Sequence, residues 1–221
     1  MNTPLLRCRE VHCRRPLWRE GPSEVRGASA DFGEARFHAV AGEEGCGKNL
    51  FLHVAGLLEQ PDRGEIIFEG GATSALTPAG RDELRQKNFG FVFPACVLLP
   101  SLSLLENIAF PVLKAGGSSD EEQAEHTLAA LHFCGLEDVA QVSAGDLTAT
   151  QRAIAAFARA IIHRPRILIV ESAAEEELLV PLASRAVIEW GTTVIWGAGR
   201  DGAAVRAADR VLTMREGIIG E

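Results

Sequence analysis

Short apolar segments alternate along the chain with stretches whose apolar residues recur at helical spacing, and this alternation predicts an α/β order. Val25–Phe32 and Phe37–Ala41 read as strands, and Lys48–Leu58 as a helix. Gly64-Glu65-Ile66-Ile67-Phe68-Glu69-Gly70-Gly71 is a short strand between turn signals. Arg81–Lys87 is a short charged helix, and Phe89–Phe93 is a strand stopped by Pro94. A helix-rich middle follows, with Leu104–Leu113 and Asp120–Cys134 joined by Gly116-Gly117-Ser118-Ser119. Asp120 opens an acidic first turn, which suits the positive end of a helix dipole. The alanine-rich run Gln151–His163 predicts a helix ended by Pro165, and the continuous apolar run Ile167–Val170 a buried parallel strand. Helix Glu175–Glu189, strand Thr193–Trp196, a short helix near Gly202–Ala207 and strand Arg210–Met214 complete the order. Met214–Ile219 reads as a hairpin turning at Glu216-Gly217. No internal repeat or low-complexity segment is present.

Between the strand at Phe37–Ala41 and the helix at Lys48 lies Gly42-Glu43-Glu44-Gly45-Cys46-Gly47-Lys48-Asn49. It has the spacing G-x-x-x-x-G-K-[ST] of a phosphate-binding loop up to its last position. Glycines let backbone N–H groups turn inward around an anion, the following helix adds its positive end, and Lys48 adds a full charge. The candidate phosphate contacts are Gly42, Glu44, Gly45, Cys46, Gly47, Lys48, Asn49 and Leu50. Asn49 stands where a hydroxyl binds Mg²⁺, offering an amide oxygen on a longer arm. Glu43 and Glu44 add like charge beside a polyphosphate. One such contact at ~4 Å costs about 4 kcal/mol at an effective dielectric of about 20, and far less if the side chain points to solvent.

The net charge of −8 argues against a nucleic-acid or membrane-surface binder, which carries a basic stripe. With 47% hydrophobic residues, the 221-residue chain can bury a sizeable core. Cys8, Cys13, Cys46, Cys96 and Cys134 are odd in number, scattered and without a CxxC pair, which predicts free thiols in a reducing cytoplasm. Arg7, Arg9, Glu10, Arg14 and Arg15 interrupt any signal-peptide core near the start. The longest apolar candidate for a span, Phe89 to Leu105, contains Gly90, Pro94 and Pro100. The expectation is a soluble protein whose membrane role comes through a partner.

With the loop in place, the chain resembles an ABC-transporter ATP-binding subunit over nearly its whole length, closest to the lipoprotein-releasing and macrolide-export subfamily. Phe89-Gly90-Phe91-Val92-Phe93-Pro94, Leu98-Leu99-Pro100 and Leu105-Glu106-Asn107-Ile108 are similar to that family's IGFVFQ…LLP…LEN stretch. Arg164-Pro165-Arg166-Ile167-Leu168-Ile169-Val170-Glu171 is similar to its RPKLLLAD strand. Ala208-Asp209-Arg210-Val211 with Arg215-Glu216-Gly217 is similar to its ADRV…RDG.

The functional positions depart from the family. Its glutamine that senses magnesium and the attacking water aligns with Pro94, which has no polar side-chain atom. Its signature LSGGQ aligns with Leu147-Thr148-Ala149-Thr150-Gln151, anchored by Ala158-Arg159-Ala160. There Ala149 and Thr150 add bulk where glycines allow close backbone approach. The metal-binding aspartate aligns with Glu171, one methylene longer and able to reach magnesium through water, and the catalytic glutamate aligns with Ser172. Losing a positioned base costs ~10²–10⁴ in rate. The switch histidine falls near Gly199 or Arg200, and no histidine lies beyond Arg164. The adenine-stacking tyrosine has no counterpart, leaving Arg15 or Trp18 as candidates.

The resemblance implies a P-loop NTPase (ABC ATPase) α/β core with a helical subdomain. It predicts one domain over residues 1–221 with a helical insertion from about Pro94 to Leu147. The implied function is a degenerate ATP-binding subunit with no catalytic residue assigned, taking ATP with doubtful Mg. It would sit in the cytoplasm, peripheral on the inner face of the cell membrane, docked on a transmembrane permease. It would pair as a homo- or heterodimer with another ATP-binding subunit and bind no nucleic acid. Two alternatives stay open: an active ATPase with Glu171 on magnesium and Glu175 as base, and a scaffold that binds no nucleotide. Cys96-Val97-Leu98-Leu99 reads equally as a groove for the permease's coupling helix and as core. Glu175-Glu176-Glu177 reads as an acidic helix start or as the family's dimer-contact loop, and His126 and His132 as ordinary histidines.

Overall fold

The computed structural model describes residues 3–14, 24–115, 119–171 and 175–220. Arg15, Trp18, Ser172 and the linker residues 116–118 lie outside the described residues. Within them, the strands predicted at residues 37–41, 89–93, 167–170, 193–196 and 210–214 fall in one sheet. Strands β1 (Leu6–Arg14), β2 (Glu24–Phe32), β3 (Phe37–Ala41), β4 (Arg63–Phe68), β5 (Gly71–Ala72) and β6 (Phe89–Val92) precede β7 (Ile167–Val170), β8 (Thr193–Ala198), β9 (Arg210–Arg215) and β10 (Ile218–Gly220). A six-stranded sheet runs β10-β9-β3-β8-β7-β6, parallel except for β10, and a four-stranded antiparallel sheet runs β2-β1-β4-β5.

The parallel sheet is the shared wall of two cores. In β7, Leu168 and Val170 pack with the helical layer, while Ile167 and Ile169 pack toward the antiparallel sheet. Neighbouring β8 divides likewise, Val194 and Trp196 to one side and Ile195 to the other. Both faces are covered, which is why these strands read as continuous apolar runs. Helix α1 (Lys48–Ala55) fills the side of the antiparallel sheet with Leu50, Phe51, Leu52 and Val54. It ends before the predicted Leu58, because Leu57 takes a left-handed backbone with φ 60°.

Helix α2 (Pro78–Asn88) is capped by Thr77, whose hydroxyl accepts the Gly80 N–H at 3.1 Å. On the opposite layer lie α3 (Leu104–Ala115), α4 (Asp120–Cys134), α5 (Ala149–Ile161), α6 (Glu176–Trp190) and α7 (Ala203–Ala207). The chain passes through α3 and α4 between β6 and α5. α4 has the predicted bounds, fixed by a capping box of Ser119 and Glu122 and by left-handed Gly135 at its end. The β9–β10 turn is the predicted hairpin, with Glu216 at φ 48° and Gly217 at φ 83°.

β1 had no counterpart in the sequence reading. Leu6 and Cys8 are buried, Arg9 and Glu10 are both exposed, and Val11 and Cys13 are buried again. A bulge at Glu10, with φ 45°, shifts the alternation by one residue and hides its period. Burial pushes the Cys8 thiol up and the Cys134 thiol up to about 12, so both behave as small apolar core residues.

Candidate functional site

The loop after β3 keeps the shape its spacing predicts. Gly45 has φ 77°, and Gly47, at the N-terminus of α1, has φ 99°. A Cβ on Gly47 would lie 2.5 Å from the Glu24 carbonyl oxygen, so no side chain fits there. Gly42 and Lys48 are buried, Glu43, Glu44 and Gly45 exposed, and Cys46 and Asn49 half-buried. The Lys48 ammonium folds back and donates to the Glu43 carbonyl at 3.1 Å. Leu50 is a core residue, so only its backbone N–H is available to an anion. Glu43 points to Arg200, with Nη2 to Oε1 at 3.0 Å and both side chains half exposed or more. Such an exposed pair contributes about 0–1 kcal/mol. Arg200 is one of the two positions, with Gly199, at which the resemblance puts the switch histidine. A cleft of about 310 Å³ opens here, lined by Glu43, Glu44, Cys46, Arg200 and Arg215 among others.

The carboxylate at the end of β7 meets a partner that the sequence reading did not connect with it. Glu171 Oε1 contacts His53 Nε2, although 118 residues separate the two. Glu171 is 6% exposed, and its N–H donates to the Val92 carbonyl at 2.9 Å, fixing it beside the end of β6. The Phe93 ring stands edge-on to the His53 ring, 6.2 Å between centroids. Asn49 and His53 are four residues apart on α1 and so share one face of it. The buried Asn49 Oδ1 has no hydrogen-bond partner.

The donor set does not suit the magnesium ion that the resemblance implies. Mg²⁺ takes carboxylate and hydroxyl oxygens in near-octahedral geometry and keeps several waters. Here the carboxylate is engaged by an imidazole, the hydroxyl is replaced by an amide, and Pro94 contributes no polar side-chain atom. Among the described residues, no group of three or more His, Cys, Asp or Glu is placed to hold a metal.

Pro94 lies exposed in the turn after β6, where the Cys96 N–H donates to the Phe93 carbonyl at 3.1 Å. At the segment aligned with the signature, Thr148 Oγ1 accepts the Gln151 N–H at 3.2 Å, and Gln151 Oε1 accepts the Thr148 N–H at 2.9 Å. This capping box starts α5 at Ala149, two residues before the predicted Gln151. The T-x-x-Q spacing was its signal. Ala149 and Thr150 are exposed at the helix tip.

The apolar run after Pro94 divides. Leu98 is buried and Cys96 half-buried, while Val97 and Leu99 are 66% and 42% exposed. Among the described residues, five of the eleven exposed large apolar side chains lie between residues 93 and 113, namely Phe93, Val97, Leu99, Phe110 and Leu113. Asn107 pins this stretch from within. It is fully buried, its Oδ1 accepts the Leu99 N–H at 2.7 Å, and its Nδ2 donates to the Leu99, Leu102 and Ser103 carbonyls. Glu106 caps the same helix, accepting from the Ser103 N–H at 2.7 Å. The acidic run that opens α6 pairs within its own chain. Glu176 Oε1 accepts the Ala204 N–H at 2.8 Å, and Glu177 pairs with Arg206 at 2.6 Å. Glu175 is the half-buried N-cap residue of α6. His132 is exposed and pairs with Glu137, and His126 lies on the same helix.

A family model described as ABC transporter matches residues 25–174. The macrolide export ATP-binding/permease protein MacB of Chlorobium luteolum is 32% identical over 222 residues, covering 98% of this chain and 33% of its own length. The chain thus spans a third of that relative. Among solved structures, the dimeric bacterial ABC transporter cassette MJ0796 is similar with a TM-score of 0.86 at 25% identity, over 98% of this chain and 97% of the other. The same cassette in a dimeric post-hydrolysis state bound to ADP and Pi gives 0.85 at 24% identity, over the same shares. The cbiO1 protein of Clostridium perfringens, part of the cbiONQ complex, gives 0.86 at 21% identity, over 100% of this chain and 88% of the other.

Proposed function

The chain belongs to the ABC transporter family, and on that premise we propose that it is a degenerate ATP-binding subunit that holds nucleotide but does not turn it over. Its fold is the P-loop ATPase core with a helical subdomain, a fold that generally carries an ATP and magnesium site. One observation carries the reading. The cradle keeps left-handed Gly45 and Gly47 and the buried Lys48, while Glu171 is tied to His53 beside an exposed Pro94. The proposed phosphate contacts are the backbone N–H groups of residues 45–50 and the Lys48 ammonium.

In this reading the subunit docks on a transmembrane permease of an export complex through the exposed apolar side chains between Phe93 and Leu113. It pairs there with a second ATP-binding subunit, a copy of itself or an intact relative. The MacB relative, named as an ATP-binding/permease protein, supports the pairing with a permease, and the dimeric MJ0796 cassette supports the pairing of cassettes. The described residues contain no helix long and apolar enough to cross a membrane.

The test is an ATP turnover assay on the purified protein, with and without its permease, beside a thermal-shift titration with ATP. The expected outcome is a rise in melting temperature with nucleotide and no turnover above background. Turnover at the rate of an intact relative, lost on Lys48→Ala, would overturn the proposal.

A further inference from the structure

We infer that the site takes its nucleotide without a divalent metal, because His53 holds the carboxylate that a metal would need. The inference rests on the nucleotide-binding reading above and goes one step beyond it. Three observations converge on one face of α1. His53 Nε2 contacts Glu171 Oε1 at the end of β7. The pair is shielded, Glu171 being 6% exposed and His53 lying edge-on to the Phe93 ring. One turn earlier on the same face, Asn49 offers only a neutral amide oxygen, itself buried and without a partner.

Magnesium dehydrates reluctantly and binds proteins through one or two carboxylates and a hydroxyl, completing its shell with water and phosphate oxygens. With Oε1 held by His53, Glu171 keeps only Oε2 for a metal, and its charge is already shared with the imidazole in a half-closed setting. Nothing at position 49 or 94 offsets this with a charged ligand. The cationic groups left to the phosphates are Lys48 and the N-terminal end of α1, with Arg200 available once it releases Glu43. None of these contacts passes through a metal, so chelation of ATP in solution adds nothing to its hold on the protein.

Calorimetric titration with ATP in excess EDTA, and again with saturating magnesium, tests the inference. The expected result is binding in EDTA at an affinity that magnesium does not improve. Tightening by magnesium of more than about threefold in Kd would overturn the inference while leaving nucleotide binding intact. Absence of binding in both buffers would overturn the nucleotide reading and this inference with it. His53→Asn releases Glu171, and in a folded variant magnesium is expected to tighten ATP binding about tenfold, the effect of one charge-assisted contact. A folded variant that stays indifferent to magnesium would overturn the role given to His53. Should that variant not fold, the His53 ring resonances of the wild-type protein serve instead. They are expected to be unmoved when magnesium is added to the ATP complex, and displacement would overturn the inference.

Discussion

Asn107 shows how one buried side chain can fix the course of an exposed apolar stretch. All its hydrogen-bonding groups are used on the backbone between Leu99 and Ser103, the stretch that presents Leu99 to solvent. Asn107→Ala would leave the Leu99 N–H without its acceptor, while the Leu99, Leu102 and Ser103 carbonyls keep the backbone N–H donors of Leu102, Ala144 and Asn107. The expected loss is about 1–3 kcal/mol, read as a lower urea midpoint at unchanged slope. Two histidines, His38 buried and His163 half-buried, add a dependence on acid. Burial pushes the His38 and His163 imidazoles below their usual 6.5, partly opposed by hydrogen bonds to the Gly33 and Phe89 carbonyls. The unfolded chain therefore takes up protons first as pH falls. The contribution of these two groups to stability is full above about pH 6.5 and is lost progressively as pH falls below it. His163→Gln, which keeps an N–H for the Phe89 carbonyl, should lessen the drop in melting temperature across that range.

At the scale of elements, Gly90 lets β6 lie tightly against α5. A Cβ on Gly90 would lie 2.1 Å from the Ala160 carbonyl oxygen, so Gly90→Ala must push helix and strand apart. An expected cost of about 2–3 kcal/mol follows from such overpacking, measurable by chemical denaturation. Legibility in the sequence also divides by element. α4 could be read to its ends because Ser119, Glu122 and Gly135 are local signals whose chemistry acts within one turn. β7 could be read because burial on both faces removes polar residues from a short run. β1 could not, since its bulge puts Arg9 and Glu10 side by side and cancels the alternation. The phosphate loop was legible from spacing alone, whereas the His53–Glu171 contact was not. Spacing reports neighbours in sequence, and this contact joins the first helix to a strand end 118 residues on. The start of α5 is legible in retrospect, since Thr148 and Gln151 stand at capping-box spacing within one turn.

At the scale of the whole molecule, strands β3, β7 and β8 serve two cores at once, so the antiparallel sheet and the helical layer lean on the same wall. A programme to revive hydrolysis by motif comparison alone would change Asn49→Ser, Pro94→Gln and Ser172→Glu. That triple variant is expected to remain silent in a turnover assay, since its acidic group at 171 stays captive, and turnover by it would refute the idea. Adding His53→Asn is the step that should let activity return. Under the proposed reading, the route back to a working engine runs through a residue that the loop's spacing does not mark, and the brake is latched in three dimensions rather than spelled in one.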